Sequence, residues 1–174
     1  MERVTKHLRL REFTLADLNT THGYAGDLEC VEFMLWGPNT QEETTRFLLD
    51  VIENQKVIPR RKYDFALIDS QGRHIGGCGI YLDETFKKAE VGWILRKEEW
   101  GKGYGSEAAR ELIKFGFEVL GLDEITATCD ARNRGSAKVM EKCGMMLTKR
   151  RINHRKDRYR EDLLHDQLDY SIQK

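Results

Sequence analysis

Three glycines at alternate positions, in Trp100-Gly101-Lys102-Gly103-Tyr104-Gly105-Ser106, carry the clearest chemical signature of this chain. Glycine adopts positive φ without a Cβ penalty, so such a turn can aim successive backbone N–H groups at one point, and that point suits an anion. A helix follows from about Ser106: Ala108, Ala109, Leu112, Ile113, Gly116, Val119 and Leu120 recur at three and four, and Gly121 supplies a stop. The helix dipole and its unpaired first N–H groups add about half a positive charge beside the turn. Strand, turn and packed helix together predict a grip on a phosphorylated ligand.

Two nucleotide signatures fit this stretch poorly. A dinucleotide fold needs G-x-G-x-x-G directly after a buried strand, whereas here Ser106 takes the last position and Arg96 to Glu99 intervene. No window matches the phosphate loop G-x-x-x-x-G-K-[ST]. The segment from Trp100 to Gly105 instead resembles the [RQ]-x-x-G-x-[GA] signature of the GCN5-related N-acetyltransferase (GNAT) superfamily. Trp100 replaces the usual Arg or Gln, and the run Trp100 to Ala108 is similar to the RimJ/RimL-type ribosomal-protein N-acetyltransferase branch. Further on, Asn133-x-x-Ser136-x-x-Val139-x-Glu141-Lys142-x-Gly144 resembles the second signature of the same family, in register with the first.

The resemblance covers most of the chain, from about residue 7 to 172. It implies an α/β domain with a mixed, mainly antiparallel seven-stranded sheet, split at its middle by acetyl-coenzyme A and flanked by about four helices. It implies direct acetyl transfer to a primary amine, without a covalent enzyme intermediate. Backbone N–H groups of Gly101, Lys102, Gly103, Tyr104, Gly105 and Ser106, following Trp100, would hold the pyrophosphate, and Lys102 would add charge. The pantetheine arm would enter between the strands at 89–95 and 124–129, meeting the backbone of Ile94 and Leu95. The Leu95 N–H or its neighbour would serve the oxyanion, and Asn133 would hold the arm from the other side while also suiting a helix cap.

The acceptor must lose a proton, because a lysine-like amine has a pKa near 10.4 and an α-amine about 7.7 to 8.0. Glu90 is the candidate base, on the strand face opposite Ala89, Val91 and Trp93; an ion-paired strand carboxylate is the plainer reading. Many family members place a tyrosine, the acid for the departing thiolate, four residues after the Ser136 position, where this chain has Met140. Ser136 is the family-consistent substitute, although its hydroxyl also suits a cap, and Cys129 precedes Asn133 by four as in some relatives. The subfamily resemblance favours the α-amine of a protein N-terminus; a polyamine or aminoglycoside amine is the alternative. A sensor that binds acetyl-coenzyme A without transferring anything is the rival from another class.

The flanking elements read as follows. Residues 7 to 13 alternate as a first strand, and Thr14 caps a helix beginning at Leu15. Residues 27 to 36 and 40 to 54 read as helices, the second with Thr40 and Glu43 as a capping box and Phe47, Leu48, Val51 and Ile52 as its stripe. Strands at 63–68 and 74–82 join through Asp69-Ser70-Gln71-Gly72, with Gly76, Gly77 and Gly79 allowing the second to bend. After the central strand at 89–95 come strands at 124–129, 145–152 and 163–172, with a short helix ending at Cys143.

Charge is balanced, 29 basic against 29 acidic residues, which disfavours a general nucleic-acid binder. It is uneven locally. Seven acids between Asp27 and Glu53 face the single base Arg46, and in the resemblance this segment overhangs the acceptor; a solvated helix face is the plainer reading. Seven bases between Lys149 and Arg160 suit an acidic protein, ribosomal RNA or a cofactor phosphate, or simply a solvated loop balanced by Glu161, Asp162 and Asp166. Length fits one domain over 1–174. Four cysteines without a C-x-x-C pair and a start without a signal peptide's apolar core predict a cytoplasmic protein with reduced thiols. No apolar run approaches the roughly 20 residues of a membrane span, and five histidines without H-E-x-x-H give a metal site little support. A homodimer is left open.

Overall fold

A computed structural model describes residues 1–157, 160 and 162–174. Among the described residues eight strands form one sheet: β1 (Glu2–Val4), β2 (Leu8–Glu12), β3 (Lys62–Asp69), β4 (His74–Leu82), β5 (Lys88–Leu95), β6 (Glu124–Asp130), β7 (Met146–Lys156) and β8 (Leu164–Gln173). Their spatial order is β1-β2-β3-β4-β5-β6-β8-β7, and every neighbouring pair is antiparallel except β5 with β6. The mixed, mainly antiparallel sheet is the expected one, with eight strands rather than seven. The extra strand is β1, whose three residues pair Arg3 with Leu10. A segment that short carries no alternation for a sequence to display.

Four helices among the described residues cover the sheet: α1 (Leu18–Ala25), α2 (Gln41–Asn54), α3 (Tyr104–Glu118) and α4 (Arg134–Lys142). The main core lies under α3, where Ala108, Leu112 and Phe115 are fully buried with Phe65, Ile75, Ile80, Leu122 and Ile125. Gly116 permits this contact, because a Cβ there would lie 2.6 Å from Ile125 Cδ1 and 3.1 Å from Ile80 Cδ1. A smaller core joins α2 to β3 through Phe13, Leu48, Val51, Ala66 and Ile68. At the start of α2 the Thr40 hydroxyl accepts from Glu43 N (3.2 Å) and Glu43 Oε2 from Thr40 N (2.7 Å), the capping box that its sequence predicts.

One expected helix does not form. Residues 27–36 are a series of turns. Asp27 Oδ1 accepts from the N–H groups of Glu29 (2.8 Å) and Cys30 (3.1 Å), and this local bonding competes with a helical ladder. The segment therefore arches over the α1 side of the sheet as an irregular wall.

Much of the basic run lies on β7. Arg150 pairs with Asp166 (2.7 Å), Arg151 bonds Asp169, and Arg155, 8% exposed, donates to the Phe33 carbonyl (3.2 Å). Acids on β8 thus match Arg150 and Arg151, Lys149 and Lys156 also lie on β7, Arg160 follows it, and Arg158 lies outside the described residues, as does Glu161. Among the described residues no helix is long and apolar enough to cross a membrane.

Candidate active site

Strands β5 and β6 pair over three positions, Lys88 with Glu124, Ala89 with Ile125 and Glu90 with Thr126. Both then continue, β5 to Leu95 and β6 to Asp130, without further pairing between them, so the sheet opens into a gap. A gap in a sheet leaves main-chain groups that something must satisfy. On β5, Arg96 N bonds Ile75 O (2.9 Å) and Asp83 N bonds Lys88 O (2.9 Å). Antiparallel alternation therefore turns the even-numbered residues toward β4 and the odd-numbered ones toward the gap. The Ile94 carbonyl confirms the pattern, lying 2.2 Å from where a Cβ on Gly76 would sit. Of the expected pair, Leu95 turns its main chain to the gap, while Ile94 commits its main chain to β4 and its side chain to the wall of a cavity.

The glycine turn closes one end of this gap. Gly101 and Gly103 have φ of +75° and +90°, and space around the Cβ position of each is open to 4 Å. Gly103 caps α3, and the first main-chain bond of the helix runs from Glu107 N to Gly103 O (3.0 Å). The N–H groups of Tyr104, Gly105 and Ser106 thus precede the helical ladder, in the arrangement that binds anions. Trp100 pins the turn to the sheet: its Nε1 donates to Leu95 O (3.0 Å). That bond gives a physical use for tryptophan at the position where the resemblance expects Arg or Gln. Lys102 Nζ sits 2.9 Å from Glu99 Oε2, a buried carboxylate, and so carries its own counter-ion.

Across the gap, Asn133 Oδ1 accepts from Ser136 N (2.9 Å), the N-terminal cap of α4. Ser136 is half-buried. Met140, at the position of the expected tyrosine, is fully buried in the main core, so that side chain serves packing. Cys129 is 4% exposed, and burial pushes its thiol up to about 11, leaving it a neutral thiol at ordinary pH.

On the α1 and α2 side of β4 and β5 lies a cavity of about 470 Å³. Its walls are mostly apolar, with Phe13, Tyr24, Trp36 and Phe47 contributing rings, and its floor is Gly77, Gly79 and Gly92. Among the described residues the one charged side chain lining it is Asp64, 6% exposed. Tyr81 donates its hydroxyl to Asp64 Oδ1 (2.6 Å). Burial pushes the Asp64 carboxyl above the usual carboxylate range, against the Tyr81 hydrogen bond and the charges of Arg60 and Lys62. Burial and the neighbouring Asp64 charge push the Tyr81 phenol well above its ordinary value.

Sequence reasoning passed over Asp64. The available signal was one acid inside an otherwise apolar strand, Tyr63-Asp64-Phe65-Ala66-Leu67-Ile68. Glu90, by contrast, is exposed at the foot of the gap and accepts from Thr128 Oγ1 (3.1 Å). The early acids do not line the cavity: Asp27 and Glu29 pair with Lys97, Glu43 caps α2, and Glu53 pairs with Lys56. Among the described residues no group of three or more His, Cys, Asp or Glu is arranged to hold a metal ion.

Residues 7–146 match the family model described as the acetyltransferase (GNAT) domain. The chain is 31% identical over 147 residues to the uncharacterized N-acetyltransferase YnaD of Bacillus subtilis, covering 83% of this chain and 82% of that one. It is 33% identical over 128 residues to the putative ribosomal N-acetyltransferase YdaF of Bacillus subtilis, covering 69% and 68%. A solved GNAT-family acetyltransferase from Bacillus anthracis superposes with a TM-score of 0.86 at 26% identity, over 99% of this chain and 98% of that one.

Proposed function

The chain belongs to the GNAT acetyltransferase family, and from that membership we propose that it moves an acetyl group from acetyl-coenzyme A to a primary amine seated in the cavity. The observation that carries this reading is the end of β5–β6 pairing at Glu90 and Thr126, with the glycine turn at one end of the gap and the cavity against its floor. When bound, acetyl-coenzyme A supplies the activated acetyl thioester. This chain's part is to hold and orient. The N–H groups from Gly101 to Ser106 fit a diphosphate, since both positive-φ glycines leave open space where side chains would intrude. The Leu95 N–H fits an oxyanion in the gap. Asn133 and Ser136, at the start of α4, would face the pantetheine arm.

Two carboxylates are candidates to take the proton of the amine, Glu90 at the foot of the gap and Asp64 inside the cavity. The RimJ/RimL resemblance favours the α-amine of a protein N-terminus. The small, mostly apolar cavity favours a small amine, and this second reading has the geometry of the chain behind it. A polyamine, with several cations, would meet one carboxylate there. Incubation with isotope-labelled acetyl-coenzyme A and a panel of amines tests the reading: transfer to an amine is expected. Saturable binding of acetyl-coenzyme A with no transfer to any member would make the protein a sensor instead.

A further inference from the structure

The cavity contains more than an opening for an amine. A carboxylate is costly to bury without a cation. Asp64 is nonetheless buried with no ion pair among the described residues, the charges of Arg60 and Lys62 acting only from a distance, and it accepts its hydrogen bond from the Tyr81 hydroxyl. The strand opposite is shaped for this pair. Asp64 faces Gly79 across β3 and β4, and a Cβ on Gly79 would lie 2.4 Å from the Tyr81 hydroxyl and 3.0 Å from Asp64 Oδ1. Any side chain at 79 would therefore displace the pair from the floor. The remaining wall supplies aromatic faces, which hold apolar bodies and favour a nearby cation.

We propose that this cavity selects a small monoamine, one ammonium on an aryl-alkyl or alkyl body, and that Asp64 is the catalytic residue that binds the ammonium and takes its proton. The proposal rests on the acetyl-transfer reading above and names its acceptor. The steps balance. Asp64 accepts one proton from the ammonium; the freed nitrogen forms the new N–C bond at the thioester carbonyl, and the C–S bond breaks. The second nitrogen proton leaves with the thiolate as thiol, and the proton on Asp64 passes to water once the amide departs. Tyr81 is a positioning residue that acts through Asp64. Charge count gives the selectivity: a second or third cation would enter an apolar wall unpaired, and a peptide would bring amides with few partners.

The test uses the full chain and four acceptors: phenethylamine, hexylamine, spermidine and a tetrapeptide with a free N-terminus. The two monoamines should exceed spermidine and the peptide in kcat/KM by at least about 100-fold. Asp64→Asn should lower kcat/KM for phenethylamine by about 10²- to 10⁴-fold, the usual range for acid–base groups. That loss should exceed the loss from Glu90→Gln by at least about tenfold, with acetyl-coenzyme A affinity unchanged. Tyr81→Phe should lower kcat by about tenfold with little change in KM. A preference for spermidine or the peptide, or a loss at Asp64→Asn within about threefold, would overturn the proposal.

Quenching of Trp36 fluorescence by phenethylamine reads the cavity without any transfer. Asp64→Asn should abolish that response while leaving the response to 2-phenylethanol, the neutral analogue. Equal phenethylamine binding by both proteins would overturn the proposal even if acetyl transfer is seen. Asp64-dependent binding in a protein that ignores acetyl-coenzyme A would support the amine site and sink the transferase reading instead.

Discussion

The two faces of the sheet are built on opposite terms. Under α3 the side chains of Leu112, Phe115, Ile125 and Met140 are fully buried and interlocked, and even a glycine, Gly116, is placed to let backbone approach side chain. Under α1 and α2 the same strands present Gly77, Gly79 and Gly92 to a cavity of about 470 Å³, walled by the buried rings of Phe13 and Tyr24 and the more exposed ones of Trp36 and Phe47. The dense face holds the turn of Gly101 and Gly103 in place; the open face has room for a second molecule. On the proposed reading the sheet binds a cofactor by rigid backbone and an acceptor by side-chain lining, because its two faces need not pack alike.

The largest expected effect comes from breaking the sheet that both faces share. Gly76→Val would put a Cβ 2.2 Å from the Ile94 carbonyl, a backbone atom that cannot yield. A loss above about 4 kcal/mol is expected, seen as failure to reach a cooperative thermal transition. A matched pair then separates the faces. Leu112→Ala, at a fully buried site, should cost about 2–5 kcal/mol by urea denaturation. Phe47→Ala on the cavity side, where the ring is 38% exposed, should cost about 1 kcal/mol or less while weakening amine binding. Equal losses would erase the proposed difference between the faces.

A smaller effect belongs to the turn. Gly103→Ala meets no neighbour, so its cost is that of a φ of +90° alone, about 1–2 kcal/mol. Calorimetry should show acetyl-coenzyme A affinity reduced about tenfold with amine binding intact.

Another effect concerns pH. Burial raises the Asp17 carboxyl, but hydrogen bonds from Arg11 (2.6 and 2.8 Å) and Thr14 N (2.8 Å) prevail and hold it to about 2. A carboxyl held below its unfolded value of about 3.9 contributes stability that is complete above about pH 4 and is lost as pH falls toward 2. In Asp17→Asn the melting temperature should be lower at pH 6 and should fall less steeply between pH 4 and 2.

The legibility of the chain follows the same division. The turn could be read from Gly101 and Gly103, whose φ are positive, whereas Gly105, expected with them, is helical because α3 already begins at Tyr104; α3 itself could be read from its repeat of Ala108, Leu112 and Ile113, because one-sided burial leaves periodic marks. β1 left none, being three residues long, and 27–36 misled because Asp27 bonds its own backbone locally. The role of Asp64 was hidden by distance: its partner Tyr81 lies 17 residues on, and the pair meets only through β3–β4 register over Gly79. Even the departure at Trp100 became intelligible only when its indole was seen on the Leu95 carbonyl.

The central claim is that main-chain N–H groups between Gly101 and Ser106 receive the diphosphate of acetyl-coenzyme A at the mouth of the gap. Its most direct measurement is an amide NMR titration of the intact protein with coenzyme A. Saturable shifts should be largest at Gly101 to Ser106 and at Leu95, the residue turned to the gap. Shifts confined to other surfaces, or an unchanged spectrum at millimolar ligand, would contradict the account.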